Sequence, residues 1–176
     1  MQKQAYQNAD AMAVARRWRD ALTPFTTRIQ IVGSLRRLKP TVGDCEVLFI
    51  PKTEPSGLFG ETVLDLASEF LTKERDAGNL TVRHGWGPKN KFAVDVQSGI
   101  PIDFFSTSLE NWWVALVVKT GSADTCLKLT NGALALNRSL LAGGPGVSTT
   151  KGTIFAKSED DVFRLCGVPF LPPEKR

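Results

Sequence analysis

The sequence predicts an α+β fold, with a mixed unit over residues 1–107 and a smaller, mainly helical unit over residues 108–176. Three observations lead to this prediction. Two apolar, strand-like segments, Arg28–Val32 and Asp44–Ile50, follow an initial helical stretch. A pair of alternating segments then predicts a β-hairpin, and helical spacing of apolar residues dominates the rest of the chain.

The first helix is predicted over Gln7–Leu22, where helix formers repeat with apolar residues at helical spacing and Pro24 lies just past the end. After the second strand, proline and glycine residues that break helices, together with the spacing of apolar residues, predict three further elements. These are a loop at Pro51–Ser56, a helix at Leu58–Ala77 that stops at Gly78-Asn79, and a strand at Leu80–Arg83.

Apolar and polar residues alternate in Phe92–Val96 and Ile100–Phe105, and Gln97-Ser98-Gly99 joins them, which predicts the hairpin. In the second unit, glycine and proline breakers separate stretches with helical spacing. They predict helices at Leu109–Lys119, Asp124–Leu141 and Ser158–Gly167, with a brief strand at Thr153–Ala156.

Positive charge is concentrated at the start of the chain. Residues 1–43 carry eight Lys/Arg and two Asp/Glu, whereas residues 44–176 carry fourteen and sixteen. An excess of this kind favours an anionic partner such as a nucleotide or a nucleic-acid backbone. A solvated basic helix face is the alternative interpretation.

The cysteines, Cys45, Cys126 and Cys166, are far apart and form no C-x-x-C motif, which argues against a disulfide framework or a zinc site. The longest apolar run, Trp112–Val118, is too short to span a membrane, and no signal-peptide pattern is present. We therefore expect a soluble, intracellular protein of the cytoplasm or nucleoid, with a viral source as an alternative. The single histidine, His84, is predicted to be a surface turn residue.

One stretch, I-V-G-S-L-R-R-L-K-P-T-V-G-D-C-E-V-L-F-I, carries most of the chemistry. Asp44 and Glu46 are spaced i and i+2 on a predicted strand, so their side chains point the same way. Paired carboxylates suit a hard divalent cation. The preceding Gly33-Ser34 turn and the arginines Arg36 and Arg37 suit phosphate. Together these features predict a site for a metal and a nucleotide.

A third carboxylate on a neighbouring strand would complete a two-metal site for phosphoryl transfer. The predicted hairpin offers two candidates, Asp95 in V-D-V and Asp103 in I-D-F. The pattern favours Asp103 modestly and leaves both open.

The motif G-S-L-R-R, followed by G-D-C-E-V-L, resembles the palm of the family X, or polymerase-beta-like, DNA polymerases. Later segments match the same family in order: Asn90-Lys91-Phe92, Ile102-Asp103-Phe104, Thr120-Gly121-Ser122 and the C-terminal S-E-D-D-V-F-R-L-C-G-V-P-F-L-P-P-E-K-R. The resemblance covers nearly the whole chain. It implies a mixed-sheet nucleotidyltransferase palm with helices on one face at 1–107, and a small α/β thumb at 108–176.

The resemblance also implies roles for individual residues. Two Mg²⁺ ions, with Mn²⁺ as an alternative, would be held by Asp44, Glu46 and Asp103. The triphosphate of a dNTP would be bound by Ser34, Arg37 and Gly43, and Gly121 and Ser122 would also bind the nucleotide. Lys91 would contact a nucleic-acid phosphate, Asp103 would take the proton of the attacking 3′-hydroxyl, and the Gly121–Ser122 peptide would be cis.

The chain departs from the family pattern at several positions. Glu46 stands where aspartate is usual, Val118-Lys119 where an aromatic pair packs on the sugar, and Pro101 where an arginine usually lies two residues before the third aspartate. The matched motifs begin at the first palm helix, without a lyase domain or DNA-binding fingers. We therefore expect a monomer with weak, salt-sensitive DNA affinity, and an accessory protein that supplies DNA binding.

The matched motifs and the departures from them lead to three candidate functions. The first is a minimal DNA polymerase that fills short gaps in repair, by in-line attack with release of pyrophosphate. The second is a nucleotidyltransferase that acts on RNA, a protein or a small molecule. The third is a weakly catalytic module that binds nucleotide or DNA.

Overall fold

The computed structural model describes residues 4–56 and 62–176. The chain divides into two compact units. The first extends to Ile31 and resumes over Pro40–Thr107, and the second comprises Val32–Lys39 and Ser108–Arg176. The palm and thumb roles given to the two parts of the chain stay predictions. No helix in the described ranges is both long and apolar enough to cross a bilayer.

The described residues form six α-helices and twelve β-strands. The helices are α1 (Asn8–Leu22), α2 (Gly33–Arg36), α3 (Leu66–Asp76), α4 (Trp112–Thr120), α5 (Ala123–Ala135) and α6 (Glu159–Leu165). The strands are β1 (Tyr6–Gln7), β2 (Thr26–Ile31), β3 (Thr41–Val42), β4 (Cys45–Pro51), β5 (Thr53–Ser56), β6 (Thr62–Asp65), β7 (Leu80–Trp86), β8 (Asn90–Asp95), β9 (Pro101–Ser106), β10 (Ser139–Leu140), β11 (Gly146–Thr149) and β12 (Gly152–Phe155).

A five-stranded sheet organises the first unit, with the order β2-β4-β9-β8-β7. β4 and β9 run parallel, and every other neighbouring pair in this sheet is antiparallel. The sheet is therefore mixed, and together with the helices it confirms the predicted α+β fold class. The predicted hairpin is also confirmed, as β8 and β9.

The core of the first unit lies on the central strands. Val47, Leu48 and Phe49 of β4 are each at most 2% exposed, as expected for a nearly continuous apolar run in a strand covered on both faces. α1 adds a buried stripe at helical spacing, formed by Ala11, Val14, Ala15, Trp18 and Leu22. The Trp18 ring meets Phe104 of β9 edge to face, with 5.7 Å between ring centroids.

The predicted helix over Leu58–Ala77 is wrong in its first part, and Leu58 lies outside the described residues. Thr62–Asp65 forms β6, which pairs with β5, so the loop predicted at Pro51–Ser56 is wrong as well. The helix begins only at Leu66, because Asp65 caps it by accepting a hydrogen bond from the Ser68 backbone N–H at 2.8 Å. An aspartate competes for backbone N–H groups and so favours a helix start over a helix interior.

The second unit has its own apolar core, to which α4, α5, α6 and β11 contribute. The helix predicted over Asp124–Leu141 ends early, at Ala135. Asn137 has a φ of 53°, a left-handed conformation that stops a helix, and Ser139–Leu140 then forms a strand. Within α5, a Cβ on Gly132 would lie 2.4 Å from the carbonyl oxygen of Cys166, so only glycine allows α5 to approach the end of α6 so closely.

Candidate active site

Two carboxylates meet where β4 and β9 run side by side. Glu46 of β4 is the register partner of Asp103 of β9, and Asp44 directly precedes β4. Residues in register on neighbouring strands share a face of the sheet. The sheet therefore places Asp103 beside the Asp44 and Glu46 pair, whereas Asp95 lies on β8, one strand further away.

Asp103 is an almost completely buried carboxylate, with 7% of the residue exposed. Its Oδ1 accepts a hydrogen bond from Nη2 of Arg83 in a close ion pair. Burial raises the pKa of Asp103, and the negative charge of Asp44 raises it further, while Arg83 opposes both effects. Asp44 is thus close enough to Asp103 for their charges to interact.

A bulge in β7 contains Arg83, the residue that contacts the Asp103 carboxylate. Val82 pairs with Ala93 and Gly85 pairs with Phe92, so two residues of β7 have no counterpart between consecutive residues of β8. Bulges of this kind redirect side chains and are common beside active sites. The sequence reasoning missed Arg83. Its only signal is the glycine-rich R-H-G-W-G segment, because glycine within a strand marks a bulge.

The prediction that His84 lies in a turn is wrong, because it is the second bulge residue of β7. It is exposed, as predicted for a surface residue. Its ring stacks on Phe92 with 4.4 Å between centroids. Since Phe92 is in register with Asp103, the histidine lies close to the carboxylate that Arg83 contacts.

The environment of Asp95 differs from that of Asp103, because hydrogen bonds to Asp95 hold α1 against the turn after β8. It is 1% exposed, and its oxygens accept hydrogen bonds from Arg17, from the Trp18 indole N–H at 3.0 Å and from both the backbone N–H and the hydroxyl of Ser98. Burial raises the pKa of Asp95, but the hydrogen bonds from Ser98, Trp18 and Arg17 together outweigh burial and hold this pKa below its ordinary value. Asp95 therefore ties α1 to the β8 turn.

We expect Asp95→Asn to lower the free energy of unfolding by about 2 kcal/mol, because the amide leaves Arg17 without its counter-charge. The lowered pKa means that the native carboxylate contributes stability above its unfolded pKa, and that this contribution is lost as the pH falls through the lower folded value. Urea unfolding at several pH values between about 7 and 3 should show the variant and the native protein converging in acid. A difference that is independent of pH would contradict this role.

In the second unit, the Gly-Ser-Arg-Arg segment contacts the T-G-S segment. Arg37 donates from Nη1 to the backbone carbonyl of Thr120, and Arg36 donates from Nη1 to the Thr120 hydroxyl at 2.7 Å. The Gly121–Ser122 peptide is cis, as expected from the resemblance. Gly121 has a φ of 69°, and a Cβ there would lie 3.0 Å from Nη1 of Arg37, so glycine permits this contact.

Four of the predicted nucleotide-binding residues belong to this second unit: Ser34, Arg37, Gly121 and Ser122. The buried Nε of Arg37 has no hydrogen-bond partner among the described residues. Ser122 caps α5 through its side chain. Gly43 belongs to the first unit, directly before Asp44. The nucleotide-binding roles of all five residues stay predictions.

Glu159 links Arg36 of the Gly-Ser-Arg-Arg segment to Arg176. Its carboxylate accepts hydrogen bonds from both Nη atoms of Arg36, at 2.8 and 2.6 Å, and from Nη1 of Arg176 at 2.9 Å. Arg176 is held in addition by the Leu171 carbonyl oxygen and lies over the Phe163 ring. The network fixes the arginine that supports Thr120.

Lys91 is 3% exposed and donates to the carbonyl oxygen of Gly87 at 3.0 Å. Burial lowers its pKa, and Asp65 partly opposes this effect. The Lys91 ammonium therefore bonds within the turn that joins β7 to β8. The predicted contact of Lys91 with a nucleic-acid phosphate stays a prediction. The Lys91 ammonium lies 5.8 Å and the Arg75 guanidinium 5.2 Å from the ring centroid of Trp86.

The three predicted carboxylates have the chemistry that Mg²⁺ prefers, but their arrangement does not fit a complete site. Among residues 4–56 and 62–176, no group of three Asp, Glu, His or Cys side chains is gathered so that it could hold a metal ion. The ion pair with Arg83 occupies one oxygen of Asp103.

No protein-family model and no curated protein matches this sequence. Solved structures do match. The fold is similar to polymerase beta of Leishmania infantum in a ternary P/T complex, with a TM-score of 0.80 and 17% identity over 98% of this chain and 77% of the other. A ternary gap complex of the same polymerase gives 0.75 and 16% over 98% of this chain and 71% of the other. The chain therefore has a polymerase-beta-like fold, as the sequence predicted.

Proposed function

We propose, on the premise of a polymerase-beta-like fold, that this chain is a nucleotidyltransferase that adds nucleotides to a DNA 3′ end and fills short gaps in repair. One observation carries the proposal: Glu46 and Asp103 are in register on the parallel strands β4 and β9, with Asp44 just ahead of β4. This register puts Asp103 on the strand next to the Asp44 and Glu46 pair, and these carboxylates would supply the negative charge and the proton acceptor that phosphoryl transfer requires.

In the proposed reaction, the 3′-hydroxyl oxygen attacks the α-phosphorus of a dNTP in line, and the bond to the bridging oxygen breaks to release pyrophosphate. Asp103 takes the hydroxyl proton, and its raised pKa makes it a better acceptor than an ordinary aspartate. Ser34 and Arg37 bind the triphosphate through a hydroxyl and a guanidinium. The Thr120 carbonyl that accepts from Arg37 fixes the orientation of that guanidinium.

Mg²⁺, with Mn²⁺ as the alternative, is the proposed cofactor. The support is the donor chemistry of Asp44, Glu46 and Asp103, since carboxylate oxygens are the ligands of hard divalent cations. Because the Arg83 ion pair occupies Asp103, the carboxylates need to rearrange before they could act as a ligand set.

A second candidate is a nucleotidyltransferase with an acceptor other than DNA. The burial of Lys91 favours it, because an ammonium bonded to the Gly87 carbonyl is poorly placed to meet a phosphate backbone. Val118-Lys119 ahead of the T-G-S motif supports the same candidate, because neither side chain offers an aromatic face to a sugar.

The experiment is an extension assay with labelled dNTPs or NTPs, Mg²⁺ or Mn²⁺, and gapped, primed or single-stranded DNA. We expect template-dependent extension by the native chain and none above background by Asp44→Ala, which removes a proposed ligand at the start of β4. Lys73→Ala, a change on the surface of α3, is the matched control and should extend normally.

Transfer to RNA, protein or a small molecule would favour the second candidate instead. Tight binding of nucleotide or DNA without turnover in either metal would indicate that the chain is a binding module and not an enzyme. Equal extension by the native chain and Asp44→Ala would contradict both enzymatic proposals.

A further inference from the structure

We propose that a cavity between α1, α3 and the turn after β8 binds a small organic cation, an ammonium group on an apolar body, with Glu74 as the counter-charge. The cavity has a volume of about 560 Å³ and lies entirely within the first unit. Volumes of this order are typical of small-molecule sites. The residues that line it do not include Asp44, Glu46 or Asp103, so the inference does not depend on the proposed function.

The walls of the cavity are largely apolar. Trp18 and Ala21 are three residues apart on α1 and so share one face of that helix, and Phe70 of α3 lies across from them. The Phe70 ring is held by stacking on Phe25, with 4.8 Å between ring centroids. Val96, in the turn after β8, is 53% exposed and forms part of the rim. These walls suit an apolar body, and their aromatic rings favour a cation, because the face of an aromatic ring carries negative potential.

Glu74 is a half-buried carboxylate that hydrogen bonds hold in place at the cavity. Its Oε2 accepts from the side-chain amide of Asn79 at 2.8 Å. The backbone N–H of Asn79 also donates to the Glu74 carbonyl oxygen, and the Val96 N–H donates to the Asn79 carbonyl oxygen. In the part of the chain that the structure describes, Oε1 of Glu74 has no hydrogen-bond partner and Glu74 has no ion pair. The carboxylate is therefore a preorganised acceptor for an ammonium N–H.

The charges of the cavity favour a cation over an anion. Arg17 and Asp95 also line it, but they form an ion pair with each other, so their charges largely cancel. Glu74 is left as the uncompensated charge among the lining residues. An anion would bring a second negative charge beside Glu74, and a neutral ligand would take water from the carboxylate without supplying a counter-charge. An ammonium ion supplies that charge.

A surface cleft that holds only water is the alternative. The two interpretations differ in their selectivity. A cleft without a built site would not distinguish solutes of the same shape by their charge, whereas the proposed site binds the cation in preference to its neutral and anionic analogues.

The test is a nuclear magnetic resonance titration of the isotope-labelled full chain without nucleotide or DNA, in salt that screens distant surface charges. The probes are phenethylammonium, phenethyl alcohol and hydrocinnamate, which share an aromatic body and differ in charge. We expect phenethylammonium to shift the backbone amide signals of Val96 and Gln97, two residues that line the cavity. It should bind about tenfold more tightly than the alcohol, and hydrocinnamate should bind least.

The variant Glu74→Gln removes the charge and keeps an acceptor for Asn79. It should weaken phenethylammonium binding about tenfold, to the level of the alcohol, and should leave binding of the alcohol within about twofold. Glu69→Gln is the matched control, because Glu69 is an exposed acid of the same helix that does not line this cavity. It should leave the affinity for phenethylammonium within about twofold of the native chain.

Equal binding of phenethylammonium and the alcohol by the native chain would overturn the inference, as would no shift at Val96 and Gln97 with any probe. Tighter binding of hydrocinnamate would overturn it too, because it would assign the ligand to Arg17 instead of Glu74. Equal weakening by Glu74→Gln and Glu69→Gln would attribute the effect to surface charge in general. Thermal unfolding by circular dichroism shows whether each variant is folded, and the comparison of the three probes on the native chain decides the question even where a variant is unstable.

Discussion

An Asp103→Asn variant is expected to lose about a thousandfold in the rate of nucleotide addition while it folds normally. The amide has nearly the same shape as the carboxylate and can still accept a hydrogen bond from Arg83, so the strand pairing of β9 is undisturbed. It cannot take a proton from an attacking hydroxyl, and it removes one of the three negative charges beside Glu46. The loss should therefore lie in the chemical step.

The measurement is single-turnover addition of one nucleotide at saturating dNTP and DNA, with the native chain and two variants. Asp95→Asn is the matched control, because Asp95 is also a buried aspartate that pairs with an arginine, one strand away. It should lose stability and keep its rate per folded molecule within about threefold. A rate for Asp103→Asn within tenfold of the native chain, or equal rate losses in the two variants, would remove Asp103 from the proposed machinery.

Much of the first unit could be predicted because its signals are local. Alternation in the hairpin predicted β8 and β9, and the buried run that follows Asp44 predicted β4. The position of Asp103 opposite Glu46 depends on which strands become neighbours. The residues alone left Asp95 and Asp103 both open, and the resemblance to a known family selected Asp103. The sheet order then explains the choice, because β9 rather than β8 lies beside β4.

The contacts that surround the carboxylates could not be predicted, since they depend on side chains brought together from distant parts of the sequence. Arg83 reaches Asp103 only because a bulge changes the register of β7, and a single sequence shows this as no more than a glycine in a strand. The same limit explains the wrong helix over Leu58–Ala77. The helical spacing of its apolar residues was genuine, but Asp65 favours a cap, and the pairing of Thr62–Asp65 with β5 overrides helix propensity.

The arginine network of the second unit should make a large contribution to stability. Glu159 is the common partner of Arg36 and Arg176, and the side chain of Arg176 is completely buried. Burial raises the pKa of Glu159, but its bonds to Arg36 and Arg176 outweigh burial and hold this pKa below its ordinary value. The stabilisation is therefore present above the unfolded pKa of glutamate and is lost as the pH falls through the lower folded value.

We expect Glu159→Gln to lower the free energy of unfolding by about 3 kcal/mol near neutral pH, because it leaves the buried Arg176 cation without a counter-charge. Replacement of Asp160, an exposed acid on the same turn of α6, by Asn is the matched control and should cost less than about 1 kcal/mol. Urea unfolding followed by circular dichroism measures both. Equal losses in the two variants would mean that helix-end charge, common to both acids, accounts for the effect. A loss confined to Glu159→Gln that fades in acid would locate the stabilisation in the carboxylate that joins Arg36 to Arg176, and so in the support of the Thr120 turn.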